Sequence, residues 1–314
     1  MPFFGTYNAA GNSGGWLVSM TDSLTTPTLN WGQWLGGINK TVIRTLSRNN
    51  STIYVGGDST GSNSWEAFKW LGTFHALVSN AFVVSLTDSG TTPSLNWGQW
   101  IGGIRTTSIM ASSNNSSTIY VGGFSAGSNS WAAIPFGSLF IPSNPTEGFV
   151  VSLTDSGGTT PTLNWGQWLG GQTSVIVAIT NEGTNVYAGG YSASSFSWNT
   201  IALMGTFNSS VSGSNGFVVS IADGGTNSTF NWGQWLGGNS NDQVVAISNN
   251  GPLIYVGGWS ADSTSWETVN FFGHFIASAT SEGFVTKIDD TPTPYPEPSQ
   301  TVIGNATIGN ATVG

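Results

Sequence analysis

The chain has no cysteine among its 314 residues, which excludes disulfide staples, thiolate metal sites and cysteine nucleophiles while leaving the redox compartment open. Charge is scarce as well. Charged residues make up 7%, with six Lys and Arg against fifteen Asp and Glu and a formal charge of -9. Phosphate backbones and anionic bilayers are gripped by clustered cations, and the chain has almost none, so nucleic acid and membrane insertion are not expected. No run approaches the roughly 18 apolar residues that span a bilayer, and the opening MPFFGTYNAAGNSGG lacks the basic start and apolar run of a signal peptide. The only histidines are His75 and His274, both near an aromatic-Gly step and neither beside a recurring acid. HExxH, Gly-x-Ser-x-Gly, P-loop and EF-hand spacings are missing. Catalysis has no visible carrier: no catalytic residue, resident metal or cofactor is expected, and the chain reads as not an enzyme.

What it has in abundance is glycine and aromatics, 44 Gly with 12% Phe, Trp and Tyr. Gly destabilises helix interiors by about 1 kcal/mol each, so many short strands joined by turns are expected. Self-similarity then dominates. NWGQW starts at Asn30, Asn96, Asn164 and Asn231, a period of 66 to 68 residues, and IYVGG or VYAGG returns at Ile53, Ile119, Val186 and Ile254. A third element, FVVSL and its relatives, occurs five times, from Trp16 to Phe284. VVAIS and LIYVGGWS around Asn249-Asn250-Gly251 read as one hairpin. FVVSL, a turn with Asp22, Asp88, Asp155 or Asp223, and LNWGQWLGG read as a second, each Asp bonding the backbone two residues on.

Four strands per repeat predict an all-β chain, a propeller of four-stranded antiparallel blades. The expected layout is a half-repeat at 1–37, repeats at about 38–103, 104–171, 172–238 and 239–288, a Pro-rich linker at 289–300 and an extended tail or strand at 301–314. Side chains alternate along a strand, so Trp31 and Leu35 point one way and Trp34 the other, as a strand between two packed sheets requires. The NWGQW tryptophans thus read as packing residues. The insertions between the second and third strands carry Trp65, Trp131, Trp198 and Trp266, which either cover the outer hairpins of their own blade or stack on a sugar or partner protein. Asp88, Asp155 and Asp223 need no metal to act as turn residues. Nine Asn-x-Ser/Thr sequons, including Asn39, Asn208, Asn227, Asn305 and Asn310, are glycosylation candidates at close to chance frequency.

The IYVGG-x-S strand followed by Ser64-Trp65, Ser130-Trp131, Ser197-Trp198 and Ser265-Trp266, the GFV strand with its Asp-bearing turn, and the strand ending in Leu-Gly-Gly resemble the bacterial and archaeal SBBP repeats. That family resemblance spans about residues 4–288 and implies a β-propeller on a secreted or surface protein. The chain departs from it in having about four repeats rather than seven and in keeping only Asp242 of an acidic stretch after Leu-Gly-Gly. The expectation drawn from all this is an extracellular, non-catalytic structural protein. It would be a subunit of a surface filament or layer that assembles with itself head-to-tail by strand exchange through Trp16, Trp31, Phe284 and the tail residues Val302, Ile303 and Ile308. The alternative expectation is a carbohydrate-binding, adhesive propeller using the four insertion tryptophans.

Overall fold

The computed structural model describes residues 2–7, 13–62, 65, 70–75, 78–128, 131, 134–138, 140, 146–170, 173–195, 198, 203–207, 213–262, 266 and 281–290. These are all strand and turn, with no helix among them. The tail residues Val302, Ile303, Ile308, Asn305 and Asn310, together with Asn208 and His274, lie outside the described residues.

The strands form five sheets in chain order. Sheet I holds Phe3–Phe4, Gly15–Thr21 and Thr28–Leu35. Sheet II is the antiparallel meander Thr41–Asn49, Thr52–Ser59, Asn80–Asp88 and Pro93–Ile101, with the short strand Trp70–Leu71 added in parallel to its outer edge. Sheet III runs Thr107–Asn115, Thr118–Ser125, Glu147–Thr154 and Thr162–Leu169. Sheet IV runs Ser174–Glu182, Asn185–Ser192, Asn215–Asp223 and Ser228–Leu236, again with a parallel outer strand, Leu203–Met204. Sheet V has only Asp242–Asn250, Leu253–Ser260 and Glu282–Asp289. In the numbering of a full meander, sheet I supplies strands three and four and sheet V strands one to three.

Local chemistry explains each meander. The first hairpin closes with two residues, and its first central residue, Asn50, Ser116, Gly183 or Gly251, takes a positive φ of 52° to 58°. The Gly pair of the second strand serves two purposes. Its second member sits beneath a bulge of strand one: a Cβ on Gly57, Gly123, Gly190 or Gly258 would lie 1.8 to 2.0 Å from a backbone carbonyl oxygen. Its first member is a socket for a side chain of the next sheet at Gly56, Gly122 and Gly189. The aromatic-Gly element, which the sequence places only as preceding strand three, forms the outer strand parallel to strand four in sheets I, II and IV.

Successive sheets pack face to face through four cores. Leu17, Trp31 and Leu35 of sheet I meet Ile53, Val55, Phe82, Val84, Leu86 and Trp100 of sheet II. The same pattern unites sheets II and III, III and IV, and IV and V. Each fully buried Val, Leu or Phe contributes about 1.5–3 kcal/mol, so these interfaces hold the array together. A backbone latch reinforces each one, for example Thr107 N to Ser79 O at 2.9 Å and Asp242 N to Ser214 O at 2.7 Å.

Candidate functional site

The four insertion tryptophans lie against their own sheets. Each indole N–H donates to the carbonyl four residues earlier: Trp65 to Gly61 at 2.9 Å, Trp131 to Gly127 at 2.8 Å, Trp198 to Ser194 at 3.2 Å and Trp266 to Asp262 at 3.0 Å. The rings meet the strand-three Phe edge-on, with centroids 4.7 to 5.1 Å apart at Phe82, Phe149, Phe217 and Phe284. With ring and N–H both engaged, these residues form the outer end of each core rather than an open stacking platform.

The Asp of the second hairpin turn joins neighbouring sheets. Locally it does what the sequence predicts: Gly90, Gly157 and Gly225 each donate a backbone N–H to the Asp two residues earlier, at 2.8 to 2.9 Å. Its carboxylate also accepts from the preceding sheet. Trp31 Nε1 reaches Asp88 Oδ1 at 2.8 Å, Trp165 reaches Asp223 at 2.7 Å and Trp232 reaches Asp290 at 2.5 Å. A tyrosine from strand two completes the clamp, Tyr120 to Asp223 and Tyr187 to Asp290, both at 2.7 Å. Tyr54 bonds Asp155 in the same way, but there the Trp97 indole N–H is buried without a partner. Burial, then the facing carboxylate, pushes the hydroxyls of Tyr54, Tyr120 and Tyr187 well above the usual tyrosine range. For Asp88 burial works upward, but hydrogen bonds from Trp31 and the Gly90 N–H, the Arg48 charge and Ser19 outweigh it and hold the carboxyl below its ordinary value.

Both ends of the array leave their copy of this interface uncovered. On the forward face of sheet V, Val285 is 66% exposed, although its counterparts Leu17, Val83, Val150 and Val218 are buried. Tyr255, in the clamp position of Tyr54, Tyr120 and Tyr187, is 40% exposed, and Ala246, paired with Gly257, is exposed where Ala111 and Ala178 are buried. The socket glycine tells the same story. A Cβ on Gly56 would meet Ile109 of the next sheet, one on Gly122 would meet Ile176 and Ile179, and one on Gly189 would meet Val244 and Ile247, all within 3 Å. At Gly257 the nearest atoms belong to sheet V itself, at 3.8 Å and beyond. On the rear face of sheet I, Trp16 is 58% exposed and Met20 60%, at the positions where Phe82 and Leu86 are wholly buried. Asp22 there accepts from the Leu24 N–H of its own turn at 2.9 Å and is exposed.

Among the remaining sequence-derived candidates, Trp31 and Phe284 are buried within inter-sheet cores rather than at an open edge. Asn227 is exposed and Asn39 half-buried. His75 is half-buried beside Asn80, which bonds both its backbone N–H and its carbonyl. Among the described residues no group of three His, Asp or Glu is placed to hold a metal ion. Asp242, by contrast, gains a role: fully buried, it opens strand one of sheet V, where the other sheets carry Thr41, Thr107 and Ser174. Those three pair with the hydroxyls of Ser59, Ser125 and Ser192 at 2.7 to 3.0 Å. Burial pushes the Asp242 carboxyl up to about 6, with Asp262 adding to the rise, against the bonds from Ser260 and the Gly238 N–H.

No family model matches the chain, and a search of curated proteins finds no relative. Among solved structures the chain is similar to Trypanosoma rangeli sialidase in complex with the inhibitor DANA, at 12% identity and a TM-score of 0.37, covering 74% of this chain and 36% of that one. The same enzyme with sialic acid gives 12% and 0.36 over 78% and 39%. A mutant displaying trans-sialidase activity gives 11% and 0.34 over 77% and 36%. The chain therefore spans well under half the length of these proteins. They are enzymes, and this contradicts the expectations of a non-catalytic structural role and of no enzymatic activity. At such identity and TM-score no residue role or activity is carried over to this chain either.

Proposed function

We propose that the five sheets are blades of an open β-propeller-type array and that the chain works as a protein-docking module through the uncovered forward face of sheet V. The meander order and the repeated face-to-face cores support the propeller reading. One observation carries the docking reading: the forward face that the preceding sheets bury stands open at Val285, Tyr255, Ala246 and Gly257. Repeat arrays place such a face either under a cap with a polar outer surface or under a partner. This one is apolar, as interface cores are.

Paired lysine substitutions test it. Val285→Lys leaves stability within about 0.5 kcal/mol of wild type, as surface changes do, and lowers binding of an apolar dye. Val218→Lys, at the buried equivalent position, places a cation inside a core and costs several kcal/mol. Equal losses in guanidinium unfolding of the two variants would mean that the sheet V face is packed in the folded chain, and the reading fails.

A further inference from the structure

Resting on that docking reading, we infer that the occupant of the sheet V face is the rear face of sheet I from a second copy of this chain, joined by face packing. Four interfaces within the chain give the template. In each, the strand-three aliphatic of one sheet and the strand-three Phe of the next share a core: Leu17 with Phe82, Val83 with Phe149, Val150 with Phe217, and Val218 with Phe284. The fifth member of the first series is Val285, and the residue at the Phe position with no sheet before it is Trp16. Both are more than half exposed in one and the same molecule, so the chain does not pair them with each other.

The polar part of the template agrees. Tyr54, Tyr120 and Tyr187 each bond the turn Asp of the following sheet. Tyr255 is the next tyrosine in that series and is solvent-facing, while Asp22 is the equivalent turn Asp of sheet I and bonds its own backbone. Sheet V thus offers an aliphatic and a hydroxyl, and sheet I offers an indole, the thioether of Met20 and a carboxylate. The complementarity is continuous with an interface the chain makes four times. Because the two faces differ, the contact is heterologous and joins unlike positions.

The cysteine-free sequence makes the test direct. Full-length W16C and V285C chains are mixed in equal amounts and treated with a short bismaleimide. The expected product is a W16C–V285C heterodimer, in clear excess over the products of either variant alone, and Asp22→Ala weakens the association about tenfold, as loss of a hydrogen bond to a charged group does. No excess of heterodimer overturns the inference. So does a W16C/V285C double variant that crosslinks within single chains at low concentration, because the ring then closes on itself. If Val285→Lys keeps wild-type stability while no heterodimer forms, the face is open but holds another protein. This inference then fails while the docking reading stands. If Val285→Lys is as damaging as Val218→Lys, both fall.

Discussion

Replacing Asp242 by threonine should make the protein more stable, and more so the higher the pH. The site is built for a hydroxyl: Thr41, Thr107 and Ser174 hold it in the other sheets and bond a serine of strand two. In sheet V a carboxylate is buried there instead. Its Oδ2 accepts the Gly238 N–H at 2.9 Å and its Oδ1 is buried without a partner. Burial raises its pKa to about 6. The folded chain therefore holds the proton more tightly than the unfolded chain does. The stability tied to that proton is fully present below the ordinary carboxylate value near pH 4 and is lost as pH rises through about 6. At about 1.4 kcal/mol per pH unit the loss amounts to roughly 3 kcal/mol at pH 8. Guanidinium unfolding of wild type and Asp242→Thr, compared at pH 4.5 and pH 8, measures it. The variant's advantage should grow by about 2 kcal/mol between the two. The difference between the two proteins is the quantity to read, since every other titrating group is common to both. An advantage that is flat with pH, or a variant less stable at pH 8, would refute the reasoning.

Two further substitutions probe the inter-sheet clamps. Trp165→Phe removes an N–H that bonds Asp223 and should cost about 1.5–3 kcal/mol, whereas Trp97→Phe removes a buried N–H without a partner and should cost far less. Equal costs in paired unfolding curves would contradict the difference drawn between these clamps. For Asp88, held below its ordinary value mainly by Trp31, Gly90, Arg48 and Ser19 against the effect of burial, wild type should exceed Asp88→Asn in stability at neutral pH. That excess should vanish as pH falls through and below pH 4, and an excess that persists in strong acid would be inconsistent with the assignment.

Much of the architecture is legible in the sequence because each of its hairpins is written four times. The period, both hairpins, the Asp turn and the opposed faces of Trp31 and Trp34 follow from side-chain alternation and turn chemistry. What sequence reading missed lies across the sheets. The Trp–Asp bonds join residues 57 or 58 apart and the Tyr–Asp bonds residues 101 or 103 apart. No local rule brings such distant residues together. The signal is present as a nearly constant offset between recurring residue types, and Asp290, one residue past the last strand, is the residue it points to. The insertion tryptophans were ambiguous for another reason. Whether an aromatic in a loop faces water or its own sheet depends on where the loop folds back, and composition does not encode that. The expected filament role rested on low charge, missing catalytic groups, an extended tail and a count of strands, and none of these is a functional site.

The inter-sheet clamps also bear on how such a chain changes over generations. Every junction pairs an aliphatic with a Phe, and the acceptor always lies one sheet beyond its donors, so any forward face in the array suits any rear face. Loss or duplication of a whole period of about 67 residues would bring matched surfaces together, with no misfit to be repaired by later mutation. A cut at any other phase would strand an indole or a carboxylate in the wrong layer. Copy number is in this sense a free variable of the lineage, while the phase at which repeats are gained or lost is not.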